Sequence, residues 1–228
     1  MFRDRTDAGQ ALATSIEQLI AEDPSLASPL VLALPRGGVP VAFEIARRLN
    51  APLDLVLVRK IGVPGQPELA AAAVVDGDEP QFVANPDVIA QAGISPAEIE
   101  FARQRELAEI ERGREMYFSG RKRIPIEGRT VIVVDDGIAT GVTVRAALKA
   151  LRRQRPAALI LVVPVAAGDT LDRLRGDVER IVCLETPGWF QAVGAHYANF
   201  GQTPDSEVIR LLDAAADFGA DAVPTDGA

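Results

Sequence analysis

The sequence predicts an α/β fold in which a parallel central sheet is flanked by helices. Three apolar runs without polar alternation support this prediction, because strands buried on both faces have this pattern. The runs cover 30–34, 131–134 and 158–165. Segments with helical spacing follow them, and strand and helix alternate in this way in parallel sheets with right-handed crossovers.

The composition fits one α/β domain with additions, or at most two small domains, for a chain of 228 residues. The net charge of -8 opposes nucleic-acid binding, which draws its affinity from Lys and Arg. The expected partner is therefore a small molecule. No membrane partner is expected, because the apolar runs are too short to span a bilayer. Residues 1–10 lack the apolar centre of a signal peptide, so a cytoplasmic location is expected.

The first half of the chain is predicted to alternate helix and strand before a Gly/Pro-rich stretch. That stretch, 61–70, follows Arg59 and Lys60 and is predicted to be a flexible connection. The elements predicted around it are helices over 14–21 and 40–49, strands over 30–34 and 53–58, and a hairpin of 71–75 with 81–84 across Gly77 and Asp78.

A helical insertion is predicted over 86–128. Ser95, Pro96 and Glu98 have the arrangement of a helix start with a capping box, and apolar residues continue at helical spacing. The alternating charges of this segment favour a solvated helix face. A two-helix hairpin that forms a homodimer contact is the alternative.

The second half is predicted to continue the alternation and to end in a long loop, a helix and a tail. The predicted elements are strands over 130–135, 158–165 and 178–184, helices over 142–153, 171–174 and 206–215, an aromatic-rich loop over 185–203, and a disordered tail over 217–228. Together with the first half, they form a single domain over 1–216.

The stretch 131–143, V-I-V-V-D-D-G-I-A-T-G-V-T, joins a buried strand to a helix. It lies at the carboxyl end of the strand, where ligands bind in open α/β sheets. Asp135 and Asp136, the acidic pair, can accept hydrogen bonds from vicinal hydroxyls, and the Gly/Thr turn, 139–143, can wrap a phosphate. The segment fits a sugar phosphate. A P-loop nucleoside triphosphatase is disfavoured, because the chain has no G-x-x-x-x-G-K-[ST] motif.

This stretch resembles the phosphoribosyl pyrophosphate (PRPP) signature of type I phosphoribosyltransferases. In that family the acidic pair contacts the ribose 2- and 3-hydroxyls, and the turn holds the 5-phosphate. Gly137 and Val142 depart from the commonest pattern, which has an aliphatic residue and often a second glycine. The resemblance implies that the 5-phosphate is bound by Ile138, Ala139, Thr140, Gly141, Val142 and Thr143. It also implies Mg²⁺ as cofactor, held through PRPP oxygens, with Asp135 or Asp136 as a candidate ligand.

A second candidate site is the Arg36 loop, 35–38, read as Pro-Arg-Gly-Gly at another strand end. Its glycines let backbone N–H groups approach an anion, and Arg36 can pair with pyrophosphate oxygens. It resembles the family's pyrophosphate loop, in which a cis peptide often joins a basic residue to Gly. The resemblance also implies that 61–70 is a mobile loop that closes over PRPP. The implied pyrophosphate contacts are Arg36, Gly37, Gly38, Arg59 and Lys60, and the implied catalytic residues are Asp135, Asp136, Lys60 and Arg36.

Acceptor recognition is expected in the hood, the aromatic-rich loop 185–203, where Trp189 and Phe190 can stack on a planar acceptor. An equally supported alternative is that these aromatic residues form a hydrophobic cluster beneath the loop and do not contact an acceptor. His196, the single histidine, cannot make a zinc site and is expected to be structural. Ala139 stands where 6-oxopurine enzymes of the family place a proton-transferring aspartate, which disfavours hypoxanthine and guanine and leaves adenine, orotate, uracil or an amine open.

The implied reaction is Mg²⁺-assisted transfer of the 5-phosphoribosyl group from PRPP to a nitrogen nucleophile, with release of pyrophosphate. The alternative is a catalytically silent regulator that binds PRPP or a nucleotide, because fold does not fix function. Arg36 and Lys60 favour the enzyme, since a sensor can dispense with them. A purely structural module built on the helices of 86–128 leaves the acidic pair unexplained.

Overall fold

The computed structural model describes residues 1–77, 80–118, 121 and 123–219, and only the backbone of Pro67 and Glu68. The helices are α1 (Arg5–Glu22), α2 (Gly38–Leu49), α3 (Pro86–Gln91), α4 (Pro96–Tyr117), α5 (Val142–Arg153), α6 (Gly168–Leu174) and α7 (Asp205–Ala214). The strands are β1 (Leu30–Ala33), β2 (Leu53–Leu55), β3 (Val58–Val63), β4 (Gln66–Val75), β5 (Gln81–Ala84), β6 (Thr130–Val134), β7 (Ala158–Val165) and β8 (Arg180–Glu185).

The central sheet has five parallel strands in the order β2-β1-β6-β7-β8. From β1 the chain moves outward to β2, and from β6 it moves the other way to β7 and β8. The strand order therefore reverses between β1 and β6, which is where open α/β sheets bind ligands. The predicted fold class, a parallel sheet flanked by helices, is confirmed.

Two apolar layers cover the sheet, and alternate residues of each strand enter each layer. Val31, Ile132 and Ile160 pack on the side of α1, α2 and α7, whereas Leu30, Val131 and Leu159 pack on the side of α5 and α6. All five residues of β6 are buried. Burial on both faces explains why these strands read as continuous apolar runs. It also fixes the β6 end rigidly, because each buried aliphatic side chain stabilises the fold by about 1.5–3 kcal/mol.

The structure corrects the prediction for 53–70. The predicted strand over 53–58 ends at Leu55, and the chain leaves the parallel sheet to start β3 at Val58. The predicted flexible connection over 61–70 belongs to two antiparallel strands, β3 and β4, which turn at Pro64 and Gly65. The Gly/Pro content marks the tight turn and not a long loop. Strand β5 pairs with β4 as the predicted hairpin required, while Asp78 of its turn lies outside the described residues.

The helical insertion consists of α3 and the long helix α4. The predicted capping box is confirmed: the Glu98 N–H donates to Ser95 Oγ, and the Ser95 N–H donates to Glu98 Oε2 at 2.9 Å. Ile110 and Gly113 are the buried residues of α4, and its second half packs on β3. Most of the helix is therefore solvated, in agreement with its alternating charges.

Helix α1 starts nine residues earlier than predicted, at Arg5 in place of residue 14, with Asp4 as its N-cap. The sequence signal is weak there because the buried face consists of small residues. Ala8 is fully buried, and a Cβ on Gly9 would lie 2.8 Å from the Val41 carbonyl oxygen of α2. Small residues allow the two helices to approach closely, but they give little hydrophobic periodicity.

The first residues of the predicted disordered tail pack against α2. The ring centroid of Phe218 lies 5.6 Å from that of Phe43, and the Gly219 N–H donates to Asn50 Oδ1 at 3.4 Å. Residues 220–228 lie outside the described part of the chain. None of the helices in the described residues combines the length and apolar character needed to cross a bilayer.

Candidate functional site

The two predicted phosphate loops lie side by side at the point where the strand order reverses. The Leu34 N–H donates to the Val134 carbonyl at 2.9 Å. A Cβ on Gly38 would lie 2.7 Å from the same carbonyl oxygen, and one on Gly37 would overlap Asp136 Oδ2. Both glycines are therefore required by close approach. The cis peptide of this loop joins Pro35 to Arg36, one residue before the expected position.

The acidic pair is largely buried at the end of β6. The Asp136 N–H donates to Asp135 Oδ1 at 2.8 Å, so the two residues form one compact turn. Burial, and next the charge of Asp136, raise the pKa of Asp135 well above its usual value. Burial also raises the pKa of Asp136, while a hydrogen bond from Arg5 opposes that shift. The ionisation of the pair therefore depends on the surrounding charges.

Two residues that the sequence analysis missed, Arg5 and Tyr197, hold the acidic pair. Arg5 Nε donates to Asp136 Oδ2 at 2.8 Å, and the two side chains are only 13% and 15% exposed. The Tyr197 hydroxyl donates to the Asp136 backbone carbonyl at 2.6 Å. Burial and the charge of Asp136 raise the pKa of this phenol. The start of α1 and the hood thus both contact the end of β6.

The Gly/Thr turn leads directly into α5. Gly141 has φ +73° and precedes the first helical residue, Val142. The first N–H groups of a helix have no intrahelical acceptor and favour an anion. Ala139 and Thr140 are exposed, and the Thr170 hydroxyl fixes the turn by donating to the Ala139 carbonyl at 2.7 Å. The geometry suits a phosphate group.

Ile138 was predicted to contact the 5-phosphate, and the structure corrects this prediction. Its side chain is 2% exposed, and its N–H donates to the Val165 carbonyl at 2.9 Å. It therefore anchors the turn to β7 and offers no free donor. The unusual Gly137 has a steric cause, because a Cβ there would lie 2.5 Å from Val193 Cγ1 of the hood.

Arg36, one of the predicted pyrophosphate cations, lies near a carboxylate that also binds a phenol from a distant element. Arg36 Nη1 is 3.6 Å from Asp205 Oδ2 at the start of α7, and the Tyr117 hydroxyl at the end of α4 donates to Asp205 Oδ1. Burial and Asp205 raise the pKa of Tyr117 to about 12, while Arg36 and Arg59 oppose the shift. The helical insertion therefore reaches the candidate site. Lys60, the neighbour of Arg59 in β3, is half-buried.

The two aromatic residues predicted to recognise the acceptor have different environments. Trp189 is 80% exposed. Phe190 packs in a small cluster with Val165 and Val193 and stacks on His196 at 5.7 Å. His196 Nδ1 also lies 3.4 Å from Glu185 Oε2. Phe190 and His196 therefore stabilise the hood, whereas Trp189 presents its ring to solvent.

The donor set at the acidic pair fits Mg²⁺ only together with substrate. Among the described residues, no group of three or more His, Cys, Asp or Glu is arranged to hold a metal ion. Mg²⁺ commonly binds through one or two carboxylates plus substrate phosphates. Asp135 and Asp136 supply that number of carboxylates, although Asp136 Oδ2 is already paired with Arg5.

A separate cavity of about 730 Å³, the arginine-lined cavity, contains none of the predicted site residues. Two buried carboxylates, Asp54 and Asp76, lie in its wall, and burial raises the pKa of both. Arg123 and Arg114 pair with Asp76. The lining arginines are Arg114, Arg121, Arg123, Arg153 and Arg155.

We expect Tyr117→Phe to lower the free energy of unfolding by about 1–2 kcal/mol, because it removes a half-buried hydrogen bond to a carboxylate. Urea denaturation measures the change. Phe101→Leu on the same helix is the matched control, since Phe101 is 74% exposed. Equal stability of Tyr117→Phe and the control would mean that the hydroxyl does not tie α4 to α7.

Comparisons with known proteins agree with this architecture. A family model described as "Phosphoribosyl transferase domain" matches residues 4–198. Two curated Mycobacterium tuberculosis proteins, from strains CDC 1551 and H37Rv, are 44% identical over 228 residues and carry the names "Putative phosphoribosyl transferase MT0597" and "Putative phosphoribosyl transferase Rv0571c". The match covers 100% of this chain but 50% of theirs, so the chain spans about half their length. The crystal structure of the protein TT1426 from Thermus thermophilus superposes with a TM-score of 0.79 at 40% identity, covering 93% of this chain and 97% of that one.

Proposed function

Because the chain belongs to the phosphoribosyl transferase domain family, we propose that it transfers the 5-phosphoribosyl group of PRPP to a nitrogen nucleophile. One observation carries the proposal: the acidic pair, the Gly/Thr turn and the Arg36 loop meet where the strand order of the sheet reverses. A pentose that carries a phosphate at one end and a pyrophosphate at the other needs these three kinds of contact.

Each part of PRPP has a chemically matched partner in this proposal. The carboxylates of Asp135 and Asp136 accept hydrogen bonds from the ribose hydroxyls. The N–H groups at the start of α5, with the hydroxyls of Thr140 and Thr143, bind the 5-phosphate. Arg36 and the N–H groups beside Gly37 and Gly38 bind the pyrophosphate, and we assign Arg59 and Lys60 of β3 to the same group.

The proposed reaction breaks the bond between ribose C1 and the pyrophosphate oxygen and forms a bond from C1 to the acceptor nitrogen. The electron pair of the broken bond leaves with pyrophosphate, and the nitrogen loses a proton. Positive charge grows on the ribose, where the acidic pair stabilises it. Negative charge grows on the leaving pyrophosphate, where Arg36, Arg59 and Lys60 stabilise it. Preorganised groups stabilise such charges with little reorganisation.

Magnesium, when carried in on PRPP oxygens, supplies charge neutralisation of the leaving pyrophosphate, a contribution of several kcal/mol. Asp135 is the carboxylate we assign to it, because Asp136 is paired with Arg5.

The acceptor class follows from what the turn and the hood present. The Ala139 side chain is exposed and cannot transfer a proton, which disfavours a 6-oxopurine. Trp189 offers an exposed ring for stacking on a planar base. Adenine, orotate, uracil and small amines are therefore the acceptors to test first.

A screen for pyrophosphate release tests the proposal. Purified protein with PRPP and Mg²⁺ is incubated with nucleobases and small amines, and pyrophosphate is measured by a coupled assay. We expect release with one class of acceptor, and none when Asp135→Asn and Asp136→Asn are combined. PRPP binding without release for any acceptor would instead favour a PRPP-binding regulator, whereas absence of PRPP binding would reject both functions.

A further inference from the structure

We propose that Arg5 is a positioning residue that holds the Asp136 carboxylate in its ribose-binding orientation and couples it to the hood. The inference rests on the proposed function, since it assigns Asp136 to the ribose. It adds a residue outside the signature stretch and gives the first turn of α1 a role in the site.

The Arg5 guanidinium makes three contacts with two distant parts of the chain. Nε donates to Asp136 Oδ2 at 2.8 Å, and Nη1 donates to the Gly201 carbonyl at 2.7 Å. The guanidinium carbon also lies 4.1 Å from the ring centroid of Phe200. A planar, multidentate guanidinium suits this arrangement, in which one group must satisfy a carboxylate, a carbonyl and an aromatic face.

The burial of this pair distinguishes it from a surface ion pair. Arg5 and Asp136 are 13% and 15% exposed, whereas Arg3 and Asp4, two residues from the same segment, are 66% and 38% exposed. Exposed ion pairs contribute little to the stability of the fold. Removing one partner of a desolvated ion pair, in contrast, leaves a buried charge without compensation. The contact with Gly37 restricts the carboxylate further. Because Oδ2 is taken, we assign Oδ1 of Asp136 to the ribose hydroxyl.

The charges around Asp136 make Arg5 its principal compensating cation. Asp135 faces it from the same turn, Tyr197 contacts its carbonyl from the hood, and Arg5 comes from α1. Burial raises the pKa of Asp136, and Arg5 lowers it. Without Arg5 the Asp136 carboxylate loses its ion-pair partner and the hydrogen bond that fixes Oδ2. The loss of ribose binding should therefore appear together with a change in the orientation of this carboxylate.

Calorimetry of PRPP binding with Mg²⁺ tests the inference. We expect Arg5→Gln to weaken binding at least about tenfold, a tenfold change being about 1.4 kcal/mol. Arg5→Lys should recover part of the affinity, because it restores the charge without the fork geometry. Arg3→Gln is the matched control and should bind as the wild type does. Wild-type affinity in Arg5→Gln, or an equal loss in Arg3→Gln, would overturn the proposal.

A second readout separates this inference from the proposed function. A crystal structure of ligand-free Arg5→Gln should show the Asp136 carboxylate turned from its wild-type orientation, and an unchanged carboxylate would overturn the role of Arg5. This holds even if the wild type does not bind PRPP, which would reject the proposed function alone. If Arg5→Gln does not fold, Phe200→Leu replaces it in both measurements, with weaker PRPP binding and a displaced Arg5 guanidinium expected, and no change in either contradicting the proposal.

Discussion

Replacing both Asp135 and Asp136 with asparagine should weaken PRPP binding at least about tenfold, because each carboxylate supplies charge-assisted hydrogen bonds worth about 1.5–3 kcal/mol. Asparagine keeps the shape of the turn, and its side-chain oxygen can still accept from Arg5. The expected loss therefore reports on charge. Calorimetry with Mg²⁺ measures the dissociation constant.

The control for this double variant is a second acidic pair on α6. Asp169 and Asp172 are 72% and 73% exposed, and each pairs with an arginine of its own helix or of the residues just after it. Asp169→Asn with Asp172→Asn removes the same charge from the chain but should leave PRPP affinity unchanged. Equal affinities of the acidic-pair variant and the wild type would reject the assigned ribose contacts.

Gly37→Ala should lower the free energy of unfolding by about 1–3 kcal/mol, the usual cost of overpacking, and should also reduce PRPP affinity. The added Cβ would overlap Asp136 Oδ2 and lie 2.6 Å from its Cγ. Asp136 cannot simply rotate away, because Arg5 holds the same oxygen. The substitution must therefore separate the Arg36 loop from the acidic pair or break the ion pair. Urea denaturation and PRPP calorimetry measure the two effects.

Gly176→Ala is the matched control, since a Cβ at Gly176 would meet nothing within 4 Å. It applies the same change of residue type on the surface and should leave both stability and PRPP affinity close to those of the wild type. If Gly37→Ala behaves like Gly176→Ala, then the two loops are not in the close contact that we describe.

The parts of the site that were predictable from the sequence are local in the chain. The acidic pair and the Gly/Thr turn occupy one continuous stretch between β6 and α5, and the apolar run before them marks a buried strand. The Arg36 loop similarly joins β1 to α2. Once both strands are placed in one parallel sheet, their carboxyl ends lie at the same edge, which brings the loops together.

The residues that the sequence analysis missed are defined by contacts between distant segments. Arg5 and Asp136 are 131 positions apart, and Tyr117 and Asp205 are 88 apart. No spacing rule relates such residues, and an arginine near a helix start is common on protein surfaces. A buried ion pair becomes visible only when the packing of α1 and the hood against β6 is known.

The flexible connection predicted over 61–70 was wrong for a different reason. Glycine and proline favour turns, but they do not show whether the turn is long or belongs to a hairpin. Here buried alanines from Ala70 to Ala73 pair β4 with β3, and the turn contracts to Pro64 and Gly65. Arg59 and Lys60 therefore lie on a strand, and their contact with pyrophosphate stays a prediction.

The most direct test of the central claim is a crystal structure of the protein with PRPP and Mg²⁺. We predict that the ribose hydroxyls lie within hydrogen-bonding distance of Asp135 and Asp136, and that the 5-phosphate lies against the N–H groups of the Gly/Thr turn. A PRPP molecule bound instead in the arginine-lined cavity, with the acidic pair untouched, would contradict the account.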